Sequence, residues 1–148
     1  MKNEVSDNIM RVLIADDEPR VRSALRLLLR YYPGVVVAGE ADNVERALEL
    51  VARHRPDLLL LDWELPGLNG AVVLERLRAA QQGLAVIALS GRPEARRAAL
   101  AAGVDAFVSK GDPPERLLAT LQTVLRIAPR GTGARVRPSG TTVPVYNL

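Results

Sequence analysis

A chain of 148 residues, 48% of them hydrophobic, has the size of one ordinary domain and enough apolar side chains to bury its own core. It contains no cysteine, which removes disulfides, thiolate metal sites and thiol catalysis together. The formal charge of +3 belongs to residues 129–148, which hold Arg130, Arg135 and Arg137 and no acid; the rest of the chain is balanced at 17 basic and 17 acidic residues, a weak footprint for nucleic acid.

In chain order, residues 1–9 are polar and predict a flexible leader, and the apolar run Met10–Ala15 predicts a first strand entering Asp16-Asp17-Glu18-Pro19. Val21, Ala24, Leu25, Leu28 and Leu29 then recur at helical spacing, with Arg20, Arg22, Arg26 and Arg30 on other faces. Tyr32-Pro33-Gly34 stops this helix, and Val35–Ala38 reads as a second strand closed by Gly39. A second amphipathic helix carries Val44, Ala47, Leu48 and Val51, capped by Asp42 or Asn43. It ends at His54, the only histidine, which reads as a solvated cation at a helix C-terminus. Four leucines, Leu58 to Leu61, stand between Pro56 and Pro66-Gly67 and predict a strand buried on both faces, as in a parallel sheet covered by helices. Asp62 ends that strand.

A third helix carries Val72, Val73, Leu74 and Leu77, and Leu84–Leu89 predicts a fourth buried strand ending in Ser90-Gly91. Pro93 suits the first turn of a helix over Glu94–Ala102, stopped by Gly103. Val104–Val108 predicts a fifth strand ending at Ser109-Lys110, and Asp112-Pro113-Pro114-Glu115 opens a last helix with Leu117, Leu118, Leu121, Val124 and Leu125 inward. Five strand-then-helix units with short connections predict an α/β fold over 10–128, a doubly wound five-stranded parallel sheet with helices on both faces. The basic, Pro/Gly/Thr-rich stretch 129–148 predicts a mobile tail. With no apolar run of membrane-spanning length and no signal-peptide h-region, the expectation is a cytoplasmic protein without a membrane partner.

In such a sheet the carboxyl ends of all strands share one rim, so Asp16, Asp17, Asp62, Ser90 and Lys110 converge there. Two like charges about 4 Å apart repel by roughly 4 kcal/mol at an effective dielectric of 20, and Lys110 supplies only one cation for three carboxylates. The balance fits Mg²⁺, which takes few carboxylates, several waters and a phosphate. A carboxylate facing a metal and a lysine is built to accept a phosphoryl group, with Asp62 as nucleophile and the Ser90 hydroxyl bonding the new phosphoryl oxygen. Taken singly, these residues are helix caps, turn residues or solvated cations. Their joint placement at strand ends carries the functional reading.

Val12–Glu18, Asp57–Asp62 with Leu65–Gly70, Ala88–Gly91 and Gly103–Lys110 together resemble the receiver domain of bacterial two-component response regulators. The likeness covers Met10 to about Ile127. The resemblance implies the flavodoxin-like (βα)5 receiver fold and phosphoryl transfer to Asp62 from a sensor histidine kinase or phosphotransfer protein. It implies a signalling domain that catalyses only its own phosphorylation and dephosphorylation. By the same resemblance Asp17, Asp62 and the backbone carbonyl of Glu64 bind Mg²⁺ directly, Asp16 helps through water, and Lys110 partners the phosphate. Ser90 is then the switch hydroxyl and Phe107 the aromatic that turns inward. Glu64 and Arg92 flank the entrance, where a charge pair between them would slow water attack. The arginines of the first helix would set kinase choice, and Arg96 and Arg97 colour the fourth helix. That helix, the fifth strand and the fifth helix would bind a downstream protein or a second copy.

Ser109-Lys110-Gly111-Asp112, with no proline directly after the lysine, is closest to receivers of LuxR/NarL-type regulators. The helix-turn-helix output of those proteins finds no counterpart after Ile127, so a single-domain or excised receiver is expected and direct DNA binding is not. Three alternatives stay open at this point. One is a haloacid dehalogenase-type phosphatase, whose spaced acidic pair Asp62-Trp63-Glu64 mimics; another is a receiver-like module that works without phosphate. The third is nucleic-acid binding through the arginine tail.

Overall fold

The apolar runs become strands and the amphipathic runs helices over residues 9–127, which the computed structural model describes. The order is β1 (Met10–Ala15), α1 (Pro19–Leu29), β2 (Val35–Ala41), α2 (Val44–His54), β3 (Leu58–Asp62), α3 (Gly70–Ala80) and β4 (Ala85–Ser90). A 3-10 turn (Pro93–Ala95) then leads into α4 (Arg96–Ala102), β5 (Ala106–Ser109) and α5 (Pro114–Ile127). All five strands are parallel, in the spatial order β2-β1-β3-β4-β5. The chain steps outward from β1 to β2 and then returns past β1 to β3. The crevice of this doubly wound sheet therefore opens between β1 and β3, at their carboxyl ends. The leader up to Asn8 and the tail from residue 129 lie outside the described residues.

Every residue of β3 and β4 is buried, as a central parallel strand covered on both sides requires. Alternate residues feed two cores. Leu13, Leu59, Leu61, Val86 and Phe107 pack with residues of α2, α3 and α4 on one face. Val12, Ile14, Leu58, Leu60, Ile87 and Val108 pack with α1 and α5 on the other. Leu25 and Leu29 are the buried residues of α1, and Val73, Leu74 and Leu77 those of α3, whereas Val72 turns outward at 49% exposure. Asn43 caps α2, its side-chain oxygen accepting the Arg46 N–H at 2.8 Å. His54 ends α2 half-buried, and its carbonyl accepts from Arg11 at the start of β1, far from the acidic rim.

β4 is shifted by one residue from the expected Leu84–Leu89, and three larger differences from the sequence reading each have a local reason. β2 runs through Gly39 to Ala41, because the register jumps from Val12↔Val37 to Leu13↔Gly39 and makes Ala38 the extra residue of a bulge. A Cβ on Gly39 would stand 3.3 Å from Leu13 Cδ2, so the glycine admits a close approach and does not end the strand. The expected helix over Glu94–Ala102 divides because the Ala95 N–H reaches only to the Arg92 carbonyl, a tighter turn than α. β5 begins at Ala106, two residues late: the Asp105 N–H reaches the Val86 carbonyl at 2.8 Å, but the return bond goes to its side chain, Oδ2 accepting from Val86 N at 2.7 Å and from Arg78 Nη2 at 2.9 Å.

Asp105 is only 7% exposed, and Arg78 also donates to the Gly103 carbonyl at 3.2 Å, so one ion pair ties α3 to β4 and to the α4–β5 connection. Asp105→Ala strands the buried Val86 N–H and removes an acceptor from Arg78, a loss expected to cost about 2–4 kcal/mol. Urea unfolding measures it, and Asp105→Asn, which keeps an acceptor oxygen, recovers part of the loss.

Two of the three arginines of α1 are engaged within the fold. Arg22 meets Glu40 of β2 at 3.1 Å and the Asp16 carbonyl at 2.8 Å, and Arg26 pairs with Glu40 as well. Arg20 and Arg30 stay exposed. Among the described residues no helix is long and apolar enough to cross a membrane.

Candidate functional site

Parallel pairing delivers the polar residues to one rim. Asp62 stands opposite Leu89, and Ser90 opposite Ser109. Asp16 directly follows β1 and is fully buried; Asp62 ends β3 at 2% exposure; Ser90 ends β4 fully buried. Lys110 follows β5, and its Nζ lies 2.8 Å from Asp16 Oδ2 and 3.3 Å from Asp62 Oδ1. Asp17 is exposed, yet ligand oxygens of Asp16, Asp17 and Asp62 all lie within 4.8 Å of one another.

The backbone around these side chains is fixed by short-range bonds. Asp16 Oδ1 accepts the Glu18 N–H and Asp62 Oδ1 the Glu64 N–H, each at 2.9 Å. Beyond Asp62, the Leu68 N–H returns to the Leu65 carbonyl at 3.0 Å across Pro66-Gly67, and Gly67 has φ 82°. That is the type II turn for which Pro then Gly is suited, since the third position needs positive φ. Trp63 sits partly buried just after Asp62, its ring so close to Gly70 that a Cβ there would lie 2.3 Å from Trp63 Cζ2.

Burial pushes the Asp62 carboxyl above the usual carboxylate range, against the Glu64 N–H and the Lys110 ammonium, which favour its ionised form; Asp16 reinforces the rise. Burial alone would lower Lys110, but its pairing with Asp16 and Asp62 outweighs that and raises it, so the ammonium is firmly charged. One ammonium among three carboxylates leaves an excess of negative charge. Asp16 Oδ2 is buried and accepts no hydrogen bond of good geometry, its Lys110 contact being an ion pair. An all-oxygen donor set whose negative charge exceeds that of its one ammonium, with one exposed member, fits a small hard dication.

Ser90 Oγ donates to Glu64 Oε2 at 2.5 Å and accepts the Arg92 N–H at 2.9 Å. The expected Glu64–Arg92 charge pair is not the arrangement found. Arg92 Nε instead lies 3.3 Å from Glu94, two residues along, with both side chains about two-thirds exposed, a pair of little energetic weight. Phe107 is inward at 2% exposure, with the Arg96 guanidinium 5.5 Å from its ring centroid. The contact between Glu64 and Ser90 escaped the sequence reading. Its only trace there is that each residue stands at, or two places beyond, the end of a neighbouring strand.

The all-parallel βα sheet thus carries an acidic cluster, a hydroxyl and a lysine at adjacent strand ends. Residues 12–122 match the response regulator receiver domain family, and the chain belongs to that family. It is 37% identical over 112 residues to the nitrate/nitrite response regulator protein NarL of Escherichia coli K12, covering 74% of this chain and 52% of that protein. It is 41% identical over 119 residues to the response regulator MprA of Mycobacterium leprae, covering 79% and 51%. The chain thus spans about half the length of the curated relatives it matches. A two-component response regulator of the LuxR family from Aurantimonas sp. SI85-9A1 has the same fold, with a TM-score of 0.74 at 27% identity over 80% of this chain and 86% of that one. Membership in this family leaves the phosphatase reading without support.

Proposed function

We propose that Asp62 accepts a phosphoryl group from the phosphohistidine of a sensor histidine kinase or phosphotransfer protein, and that the chain is a response regulator receiver acting in the cytoplasm. The observation that carries this reading is a nearly buried carboxylate at a strand end, 3.3 Å from a lysine ammonium and clustered with two further acids. Asp62, Asp17 and the Glu64 backbone carbonyl would hold Mg²⁺ directly and Asp16 through water. When bound, the ion supplies positive charge that offsets the carboxylates and the incoming phosphoryl oxygens.

An Asp62 carboxylate oxygen attacks phosphorus as the phosphorus–nitrogen bond breaks, its electron pair returning to the imidazole. Lys110 is already placed beside Asp62, so its charge meets the phosphoryl oxygens without reorganisation. Ser90 and Phe107, next along the rim and beneath it, relay the change towards α4, β5 and α5, the face for a downstream protein or a second copy. The donor meets Arg20 on α1 and Arg30 just past its end, which are exposed, whereas Arg22 and Arg26 are paired with Glu40.

Incubation with Mg²⁺ and acetyl phosphate, followed by intact-mass measurement, tests the central step. The expected result is a Mg²⁺-dependent gain of one phosphoryl group, absent in Asp62→Asn. No gain from acetyl phosphate or from a panel of histidine kinases would favour a receiver-like module that binds its partner without phosphate.

A further inference from the structure

A serine hydroxyl has one proton to donate. In the structure Ser90 gives it to Glu64 Oε2 at 2.5 Å, while its oxygen accepts the Arg92 N–H at 2.9 Å. Ser90 is fully buried, so no solvent contact supplements these partners. A phosphoryl oxygen on Asp62 would need that same proton. The Glu64 carboxylate and the phosphoryl group are therefore rival acceptors for one donor.

We propose that Glu64 is a positioning residue for the switch: its carboxylate holds Ser90 in the resting arrangement and must release the hydroxyl before Ser90 can bond the phosphoryl group. The inference rests on Asp62 being the acceptor. Glu64 is well placed for this task. Its own N–H is anchored on Asp62 Oδ1 at 2.9 Å, and the Leu65 N–H returns to the Asp62 carbonyl at 3.1 Å, so the side chain leaves from a fixed stem. One residue thus touches the acceptor through its backbone and the switch through its carboxylate. A hydrogen bond to an ionised acceptor is stronger than one between neutral groups, which favours the resting state. Glu64 is also exposed, so once released its charge passes to water and no buried anion is left behind. The contact is consequently firm and reversible.

Removing Glu64 would also remove a negative charge near an anion site, so the test must separate the two effects. Beryllofluoride, a phosphoryl mimic, is titrated calorimetrically in Mg²⁺ buffer into the wild type, Glu64→Ala, Glu64→Gln, Ser90→Ala and the double variant Glu64→Ala/Ser90→Ala. Loss of one charge-assisted competitor is expected to tighten binding about tenfold in Glu64→Ala, and less in Glu64→Gln, which keeps a neutral acceptor. With Ser90→Ala as background only the charge effect remains, small for an exposed and screened side chain, so the same substitution should change affinity by less than about twofold. Equal tightening in both backgrounds would reduce the effect to bare charge repulsion and overturn the inference, as would no tightening with Ser90 present. If the wild type fails to bind beryllofluoride at all, the acceptor reading of Asp62 falls, and this inference with it.

Discussion

In Mg²⁺-free buffer at neutral pH, Asp62→Asn is expected to melt about 2–8 °C above the wild type, the range for roughly 1 kcal/mol in a domain of this size. Asp62 is 2% exposed, one of three clustered carboxylates served by a single lysine. An asparagine of nearly the same shape keeps the oxygen that accepts the Glu64 N–H and removes one of the repelling charges. Stabilisation at the expense of activity is the usual outcome where a site is built for chemistry. The pH dependence follows from the direction of the shift. Burial first, then Asp16, raise the Asp62 carboxyl above its unfolded-state value of 3.8, so the folded chain binds this proton more readily than the unfolded one. Ionised Asp62 is a cost, present in full above the folded-state pKa and fading as the pH falls through it towards 3.8. The advantage of asparagine should therefore be largest near neutrality and shrink on acidification. Added Mg²⁺ should raise the wild-type melting temperature, through binding to the folded state, and raise that of the variant much less. Thermal melts across pH, with and without Mg²⁺, measure all of this. A variant less stable than the wild type without metal would mean that the ionised carboxylate is needed to hold Lys110 and the Glu64 N–H in place.

The strand ends were legible in the sequence because they depend on one regularity. Apolar runs bounded by Pro, Gly or polar pairs become central parallel strands, and parallel strands put their last residues on one edge. Asp16, Asp62, Ser90 and Lys110 needed no further information to be brought together. What escaped depends on register or on the course of a single side chain. Gly39 reads as a strand end by propensity, but it serves as the bare position that lets Leu13 approach beyond a bulge. Asp105 reads as part of an ordinary strand start; that its carboxylate pairs with the Val86 N–H depends on where β4 falls beside it. Arg22 and Arg26 read as free to meet a kinase until β2 is extended to bring Glu40 across from them. Glu64 and Arg92 carry opposite charges at flanking positions, yet Ser90 stands nearer Glu64, and Glu94 nearer Arg92. Residue type and spacing locate the rim, while the choice among partners on it is made in three dimensions.

Lys110→Ala should move stability the other way. In metal-free buffer it is expected to cost about 2–3 kcal/mol in urea unfolding, below the usual loss for breaking a buried pair because the lysine is itself partly exposed. Asp16 bears most of the loss, since its Oδ2 is buried, accepts no hydrogen bond and has Lys110 as its ion partner at 2.8 Å. The carboxylates then lack their cation, so stability should climb more steeply with Mg²⁺ than in the wild type. Failure of Mg²⁺ to restore any of it would argue against a metal among these acids. The Asp62→Asn/Lys110→Ala double variant decides how the charges are shared. With Asp62 already neutral, removing Lys110 strands one buried carboxylate instead of two, so the lysine substitution should cost less there than in the wild type. A loss of the same size in both backgrounds would mean that Lys110 stabilises Asp16 alone and stands beside Asp62 only for the phosphoryl group.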